Sequence, residues 1–360
     1  MSFSSGRQAL LAYLGSLHLP RGSEVIVQGY TCVVVPNAIH AAGLTPVYAD
    51  LDPQTLNLDP REAEKLITPR TRVIICQHTF GIPADTASLR ALCDRHGLLL
   101  IEDCAHVLPD DAGPPAIGRC ADALLVSFGR DKAISGVAGG AIIVRDAGRA
   151  EALGVLQRCA AALPRRDIAR LLFYPLLYAI ARPLYGIGIG KALLVAARTL
   201  RLLPPIVTED EKHGAMSPLL QRMPGPCAEI ALDQLRRLRR INDHRRALTR
   251  LYLQACKDRG WKVIDGITAD LPLQKCPLFV KNADAVRAKL KRGNIHLDDG
   301  WTGCVVCPRS VDASDAGYLG GIDPHAENVA RSILSLPTHP GMTERRAHLL
   351  LDHLTPHVLQ

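Results

Sequence analysis

Two short segments of the chain carry the side chains best suited to chemistry. Lys132 ends the segment Ser127-Phe128-Gly129-Arg130-Asp131-Lys132, which follows a short apolar run. Asp103 stands earlier, after the apolar run Leu98-Leu99-Leu100-Ile101 and Glu102. A lysine amine can bond to an aldehyde, and a buried carboxylate can keep a ring nitrogen protonated. A lysine on a loop after one strand and an acid at the end of an earlier strand are what a pyridoxal-phosphate enzyme requires.

Ser127 and the first residues of the chain are candidate phosphate ligands. Ser127 lies five residues before the lysine, where its hydroxyl can hold the cofactor phosphate. The segment Ser4-Ser5-Gly6-Arg7-Gln8 precedes a helical run, and a glycine at a helix start exposes backbone N–H groups to an anion. Arg7 can add a charge-assisted hydrogen bond. An ordinary N-cap by Ser4 or Ser5 is the competing interpretation.

Composition indicates a folded globular protein and argues against nucleic acid as a partner. The chain has 360 residues, 48% of them hydrophobic and 22% charged, so it can bury a large core. Its formal net charge is +8, but we find no basic run with interleaved aromatics, and aromatic residues make up only 4%. Nucleic acid is therefore not an expected partner. We expect a large domain over residues 1–240 and a smaller C-terminal domain over residues 241–360.

Cysteine usage indicates the compartment. Eleven cysteines in a chain without a recognisable secretory signal indicate reduced thiols, so we expect a cytoplasmic protein. Cys304 and Cys307 have the spacing of a redox or metal-binding pair, yet no second pair completes a zinc site. We interpret both as structural thiols and expect no metal site.

Apolar runs alternate with helical segments along the first part of the chain. Continuous apolar strands separated by helices predict an α/β fold with a large, mostly parallel sheet that is buried on both faces. Ligands bind at the carboxyl ends of such strands, where Asp103, His106, His78 and Ser127 should converge. The predicted strands are at 24–27, 46–50, 73–76, 98–101, 123–126 and 141–144, with helices at 33–42 and 86–96.

Longer motifs carry a resemblance to a known family. They are Gly22-Ser23-Glu24-Val25-Ile26-Val27, Ala41-Ala42-Gly43-Leu44-Thr45-Pro46-Val47, Thr68-Pro69-Arg70-Thr71, Gly81-Ile82-Pro83-Ala84-Asp85, Ile101-Glu102-Asp103-Cys104-Ala105-His106, Ser127-Phe128, Ala231-Leu232-Asp233-Gln234-Leu235 and Leu336-Pro337-Thr338-His339-Pro340-Gly341-Met342-Thr343. With these motifs over most of its length, the chain resembles the DegT/DnrJ/EryC1/StrS family of pyridoxal-phosphate-dependent sugar aminotransferases, which have fold type I.

The resemblance implies a reaction, a cofactor and an assembly. Family members move an amino group from glutamate or glutamine to a keto sugar, and they build their sites at the boundary of a homodimer. By position, Lys132 resembles the Schiff-base lysine, Asp103 the partner of the pyridine nitrogen, and His106 the residue beside the cofactor ring. Ser127 and the turn Gly6-Arg7-Gln8 resemble the phosphate cradle.

Three segments depart from the family pattern. Cys32 matches the position where the family commonly places an aromatic ring on the cofactor, so stacking is weaker here or comes from Tyr30. The family's Asn-Tyr-Arg-Met element, whose asparagine reaches across the dimer, reads Leu220-Gln221-Arg222-Met223. His296-Leu297-Asp298-Asp299-Gly300-Trp301 stands where sugar enzymes often carry a glycine-rich stretch, which suggests an acceptor other than a standard nucleotide sugar.

An apolar insertion at about 160–215 is the largest departure. Residues 168–207 contain no Asp or Glu and five basic residues, and their longest uncharged stretch, 171–181, is too short to span a bilayer. We expect peripheral contact with an anionic membrane on its inner face. A helical hairpin packed on the enzyme or across the dimer is the competing interpretation. The side chains expected in the lipid are Leu171, Leu172, Phe173, Leu176 and Leu177.

These features predict amino transfer to a nucleotide- or lipid-linked keto sugar in surface glycan or secondary metabolite biosynthesis. Two alternatives stay open. A family dehydratase would remove a hydroxyl from a keto sugar, but those enzymes tend to have histidine where this chain has Lys132. A non-catalytic, membrane-associated regulatory protein would keep the same fold without the reaction.

Overall fold

The computed structural model describes residues 1–112, 117–297 and 303–358. The strands are β1 (Ser2–Phe3), β2 (Glu24–Gln28), β3 (Thr45–Ala49), β4 (Leu51–Asp52), β5 (Asn57–Leu58), β6 (Thr71–Gln77), β7 (Leu99–Asp103), β8 (Ala123–Ser127), β9 (Gly140–Val144), β10 (Lys275–Phe279) and β11 (Ile333–Pro337). The helices are α1 (Gly6–Ser16), α2 (Val34–Ala41), α3 (Pro60–Lys65), α4 (Thr86–His96), α5 (Ala147–Cys159), α6 (Arg165–Ala181), α7 (Ile189–Thr199), α8 (Glu209–Lys212), α9 (Gly225–Arg236), α10 (Leu238–Arg259), α11 (Ala283–Arg292), α12 (Pro324–Ser332) and α13 (Glu344–Leu354).

The central sheet has seven strands in the order β1-β9-β8-β7-β6-β2-β3. The neighbours from β3 to β8 are parallel, whereas β9 is antiparallel to β8 and β1 is antiparallel to β9. The predicted α/β fold with a large, mostly parallel sheet is therefore confirmed. The reversal at β9 has no sequence signal, because that strand is an apolar run like its neighbours.

Both faces of this sheet are covered by helices. Successive side chains of a strand point to opposite faces, so a strand buried on both sides is apolar throughout. In β2, Val25 and Val27 pack with α1 and α2, whereas Ile26 packs with α3 and α4 on the other face. This burial explains why the strands could be recognised as continuous apolar runs.

Helix α4 shows how local residues set an element's bounds. Asp85 precedes the helix, and its carboxylate accepts a hydrogen bond from the Ser88 N–H at 3.0 Å. Gly97 ends the helix with φ of 64°, a left-handed conformation that favours glycine. The helix predicted at about 86–96 is confirmed, because both end signals are in the sequence.

The C-terminal part of the chain has a core of its own. Strands β10 and β11 form an antiparallel pair, and helices α10 to α13 contribute the apolar side chains around it. Tyr30 and Phe80 from the N-terminal part join this core. The domain boundary at residue 240, which lies inside α10, stays a prediction.

Helices α6 and α7 form a hairpin inside the predicted insertion. Leu177 is only 4% exposed and packs in the hairpin's small core with Ala197 and Leu203. The expectation that Leu177 enters lipid is therefore wrong, because its side chain is enclosed by the hairpin. Leu176 and Ile180, by contrast, are 64% and 59% exposed. Among the described residues, we find no helix with the length and apolar character needed to cross a membrane.

Candidate active site

Strands β7 and β8 place two of the predicted site residues at one edge of the sheet. The strands are parallel neighbours, with Asp103 paired to Leu125, and they end at Asp103 and Ser127. The chain leaves the parallel strand β2 towards Cys32 and leaves β8 towards Lys132. Parallel pairing therefore gathers the carboxyl ends of these strands, as the alternating pattern predicts.

Asp103 is a buried acid that the backbone holds in place. It is 4% exposed, and its Oδ1 accepts a hydrogen bond from the Ala105 N–H at 2.9 Å. Burial raises the pKa of Asp103 above its usual value, and the ammonium group of Lys132 opposes that rise. A buried carboxylate is stabilised by a cationic N–H donor, which a protonated ring nitrogen provides.

Lys132 lies half-buried on the loop after β8. Its positive charge opposes the rise that burial causes in the pKa of Asp103, and it adds to the lowering of the pKa of Cys32 by the Cys307 hydrogen bond. The C-terminal part of the chain holds this loop, since the Gln274 side-chain amide donates a hydrogen bond to the Asp131 carbonyl. A lysine placed in this way can reach a ligand that contacts Asp103.

The start of α1 lies directly against the end of β8. The Ser5 hydroxyl caps the helix by accepting a hydrogen bond from the Gln8 N–H at 3.4 Å, which confirms the N-cap interpretation. A Cβ added to Gly6 would lie 3.1 Å from Ser127 Cβ, and one added to Gly140 would lie 2.3 Å from Gly6 N. Glycine at both positions lets the N–H groups of the helix start approach the Ser127 hydroxyl, and such a helix start suits a phosphate.

Arg7 and Gln8 use their side chains to hold the later part of the chain. Arg7 forms an ion pair with Glu211 and donates a hydrogen bond to the Ile206 carbonyl at 2.5 Å. The Gln8 side-chain carbonyl accepts a hydrogen bond from the Gln221 N–H at 3.1 Å. The side chains of these two residues are therefore engaged away from the predicted phosphate cradle. Only the backbone of the helix start is left to contribute to the cradle.

His106 is fixed by an unusual turn after β6. Its Nδ1 accepts a hydrogen bond from the Phe80 N–H at 3.3 Å, and the two rings stack with centroids 6.3 Å apart. Phe80 has φ of 57°, a strained conformation for a residue other than glycine. Tyr30 packs edge-on against Phe80 and is 1% exposed. Tyr30 thus lies in the core and supports the turn that carries Phe80. This position favours the expectation that stacking on the cofactor is weaker, rather than provided by Tyr30.

His78 braces the sheet beside the site. Its Nε2 lies 3.0 Å from Glu102 Oε2, and its Nδ1 accepts a hydrogen bond from the Ala84 N–H at 3.0 Å. Burial opposes ionisation of Glu102, but hydrogen bonds from His78 and from the Gly118 N–H hold the pKa of Glu102 below its usual value. His78, Glu102 and Cys104 offer metal-ligand atoms within 4.8 Å of one another. Since hydrogen bonds already engage both nitrogens of His78 and the Glu102 carboxylate, we read the group as a structural brace.

A buried polar network supports the turn that carries Cys32, and sequence reasoning missed it. The Thr31 hydroxyl donates to the Gln77 side-chain carbonyl at 2.9 Å, and the amides of Gln77 and Gln28 each donate to the Thr79 hydroxyl at 3.1 Å. Gln28 and Gln77 are the last residues of β2 and β6. An amide that closes an apolar strand was the signal available in the sequence.

Cys32 contacts a cysteine from the C-terminal part of the chain. Cys32 and Cys307 form an isolated parallel bridge, in which the Cys307 N–H donates to the Thr31 carbonyl at 3.0 Å and the Val33 N–H donates to the Cys307 carbonyl at 2.9 Å. A hydrogen bond from the Cys307 thiol lowers the pKa of Cys32 to about 6. Burial opposes this shift, and the charge of Lys132 supports it.

The α6–α7 hairpin lies beside the lysine loop. The Arg130 guanidinium, two residues before Lys132, lies 4.2 Å from the centre of the Tyr174 ring of α6. Tyr185, between the two helices, packs edge-on against His296 with centroids 6.0 Å apart. The rest of the predicted acceptor segment, from residue 298 onwards, lies outside the described residues. The insertion therefore contacts both the lysine loop and the C-terminal part of the chain.

Together these residues fit one ligand with three different groups. Lys132 suits an aldehyde, Asp103 suits a protonated ring nitrogen, and the cradle of Gly6 and Ser127 suits a phosphate. A Cβ at Gly6 would fill the space between α1 and Ser127, which marks this cradle as a built feature. The donor set fits pyridoxal phosphate.

A protein-family model matches most of the chain. The model of the DegT/DnrJ/EryC1/StrS aminotransferase family matches residues 1–169 and 203–355 and leaves out residues 170–202. L-glutamine:2-deoxy-scyllo-inosose aminotransferase from Streptomyces paromomycinus is 36% identical over 167 residues, which are 46% of this chain and 39% of that protein. GDP-perosamine synthase from Vibrio cholerae is 34% identical over 140 residues, 39% of this chain and 38% of that protein. The chain thus matches well under half the length of these relatives.

Solved structures share the fold over nearly the whole chain. NtdA from Bacillus subtilis with bound cofactor PMP has a TM-score of 0.72 and 22% identity, covering 99% of this chain and 73% of that one. PseC from Helicobacter pylori, an aminotransferase involved in pseudaminic acid biosynthesis, has a TM-score of 0.72 and 17% identity, covering 99% and 85%. At these identities the likeness shows a common fold.

Proposed function

Since the chain belongs to the DegT/DnrJ/EryC1/StrS aminotransferase family, we propose that it is a pyridoxal-phosphate-dependent aminotransferase. In the proposed reaction an amino group moves from glutamate or glutamine to a keto sugar. One observation carries the proposal: the edge of the sheet where β7 ends in the buried Asp103 also carries the contact between Gly6 of α1 and Ser127, which ends the strand before the Lys132 loop. The relatives support the substrate class, because their names include a glutamine donor and a perosamine product.

Lys132 moves the proton in this proposal. Bound pyridoxal phosphate supplies an aldehyde and an electron-accepting ring. With pyridoxal phosphate bound, Lys132 would be the residue that holds the aldehyde, and once the amino donor had taken its place the free Lys132 amine would carry the proton of the donor's α-carbon as base and then as acid. The Lys132 side chain is half-buried on the loop after β8, so part of it is open to an entering donor.

The remaining site residues orient the ligand. Asp103 keeps a proton on the ring nitrogen, because ionisation of this buried carboxylate is favoured by a cationic N–H beside it. His106, held by Phe80, forms a wall of the site. The Ser127 hydroxyl and the backbone N–H groups at the start of α1 bind the phosphate.

Two other functions are disfavoured by particular observations. The dehydratases of this family tend to replace the lysine with histidine, whereas this chain keeps Lys132 on the loop after β8. A non-catalytic protein has no use for a buried acid at this position, since burying the Asp103 carboxylate costs stability even with the Lys132 charge acting on it. The retained pair therefore favours the transferase.

The donor half-reaction tests the proposal. Purified protein loaded with pyridoxal phosphate is mixed separately with glutamate and glutamine while the visible absorbance of the bound cofactor is followed. We expect one of the two donors to bleach the band with formation of the matching 2-oxo acid. Protein that binds no cofactor would favour the non-catalytic alternative, and cofactor that neither donor changes would refute the proposed donors.

The apolar insertion supports a proposal about the keto-sugar acceptor and about where in the cell the protein acts. The family model leaves out residues 170–202, which form most of the α6–α7 hairpin, and this hairpin lies against the lysine loop. Its exposed side chains include Leu176, Ile180 and Ile187, while the charges of the segment 168–207 are all positive. Apolar side chains interspersed with cations complement an anionic lipid surface.

We therefore extend the proposal to peripheral contact with the inner, cytoplasmic face of a membrane, where the acceptor is a lipid-linked keto sugar. A homodimer is the proposed assembly, as the family resemblance implies. The competing arrangement uses the same hairpin face as a contact between two copies of the chain. In the first arrangement lipid covers Leu176 and Ile180, and in the second a partner copy of the chain covers them.

A further inference from the structure

The contact between Cys32 and Cys307 has no role in the proposed amino transfer. Paired β segments lie about 4.8 Å apart, which falls within the Cα separation of roughly 4.4 to 6.8 Å that a disulfide needs. The two residues are bridge partners, and their sulfur atoms are within hydrogen-bond reach of each other. The backbone therefore already holds the two sulfurs next to each other.

The two cysteines differ in exposure and in charge environment. Part of Cys32 reaches the surface, although its thiol is buried, whereas Cys307 as a whole is 1% exposed. The positive charges of Lys132 and Arg7 act on Cys32 and favour its thiolate, which is the reactive form. Burial raises the pKa of the other buried cysteines and leaves them unreactive. They are Cys76, Cys93, Cys104, Cys227, Cys256 and Cys276.

We propose that Cys32 and Cys307 are a peroxide-reactive thiol pair that closes to a disulfide beside Lys132. The Cys32 thiolate attacks one oxygen of hydrogen peroxide, the O–O bond breaks, and a sulfenic acid and one water form once a proton is taken up. The Cys307 sulfur then attacks the Cys32 sulfur, its proton leaves with the hydroxyl as a second water, and the S–S bond forms. A thiol reductant reverses the change by exchange.

Cys32, whose pKa is lowered by the hydrogen bond from Cys307, is the attacking group, and Cys307 resolves it, as in known redox-sensing pairs. This assignment departs from the interpretation of Cys304 and Cys307 as structural thiols. It also has a structural consequence, because Val306 and Tyr318 pack in the same core as α1 and α2. A disulfide would tie this C-terminal segment to the turn that carries Cys32.

Peptide mapping tests the pair without any assay of activity. The protein is treated with hydrogen peroxide at pH 7, its remaining thiols are alkylated, and it is digested with trypsin without reduction. Residues 22–61 form one tryptic peptide with Cys32, and residues 293–309 form another with both Cys304 and Cys307. We expect these two peptides to be linked after peroxide and to separate on reduction.

Variants assign the bond. The link should be lost in Cys32→Ser and in Cys307→Ala, and it should persist in Cys304→Ser and in Cys159→Ser, which changes an exposed cysteine. The wild-type digest is decisive even if the Cys307 variant folds poorly. A bond inside peptide 293–309, a further oxidised Cys32 without a link, or unchanged thiols would each overturn the proposal.

Discussion

Asp103 and Lys132 are unequal partners. The acid is buried and bonded to a backbone N–H, whereas the lysine is half-buried on a loop. A fixed carboxylate suits a constant electrostatic role at a ring nitrogen, and a less enclosed amine suits a proton carrier. The division of roles in the proposed mechanism thus follows from how each side chain is held.

Replacing Asp103 by Asn should nearly abolish amino transfer. An amide cannot keep the ring nitrogen protonated, so we expect the donor half-reaction to slow by at least about 100-fold, the low end for a positioned proton-transfer group. The melting temperature should not fall, because the change removes a buried charge. Asp85→Asn is the matched control, since Asn caps a helix as well as Asp does. Equal rates for both variants would remove Asp103 from the site.

Gly6→Ala should weaken cofactor binding. The added Cβ would lie 3.1 Å from Ser127 Cβ, so the helix start must move away from the serine. We expect the dissociation constant of pyridoxal phosphate, measured by absorbance titration, to rise about tenfold, or about 1.4 kcal/mol. Gly15→Ala in the same helix is the control, because a Cβ there meets nothing within 4 Å. Unchanged affinity in Gly6→Ala would argue against the phosphate cradle.

Local patterns revealed Asp103 and Ser127, because each closes an apolar strand and parallel strands gather their ends. The contact of Cys32 with Cys307 could not be found in this way, since it joins segments from opposite ends of the chain. His78 shows that a local pattern can also suggest a ligand residue where the structure has a different role. It follows a strand as a ligand residue would, yet its pairing with buried Glu102 depends on the neighbouring strand.

Among the elements, the α6–α7 hairpin combines an internal core with an exposed apolar face. Leu177 and Ala197 pack inside, whereas Ile187 is 70% exposed. The apolar composition was visible in the sequence, but the division into inner and outer side chains was not. Which residues face inward depends on how the two helices cross, and this explains the error at Leu177.

Changing Leu176, Ile180 and Ile187 to serine should release the protein from anionic vesicles. Each side chain is exposed, so the fold should change by no more than about 0.5 kcal/mol per substitution. We expect wild-type protein to cosediment more strongly with anionic than with neutral vesicles, and salt to weaken this binding.

The control for this experiment replaces exposed leucines elsewhere, Leu232, Leu319 and Leu349, by serine. This control should bind vesicles like the wild type. Size measurement on the same samples separates the two arrangements of the hairpin. Absent vesicle binding by the wild type, together with dissociation of a dimer in the hairpin variant, would show that the face joins two copies of the chain.

At the scale of the whole molecule, both ends of the chain build the site. Gln274 holds the lysine loop, Cys307 contacts Cys32, and Phe80 supports His106 from the C-terminal core. The apolar strands predicted the central sheet, because their pattern is local. The packing of the C-terminal part over the sheet edge depends on long-range contacts, and residue patterns do not encode those directly.

The central claim is that Lys132 is the residue that bonds to the cofactor. Protein loaded with pyridoxal phosphate is reduced with borohydride, which makes the bond between cofactor and lysine permanent, and is then digested with trypsin. We predict that the cofactor is found on the peptide 131–145, which contains Lys132, and that Lys132→Ala keeps the fold but loses both this label and amino transfer. Label on a different lysine in the wild type, or normal transfer by Lys132→Ala, would contradict the account.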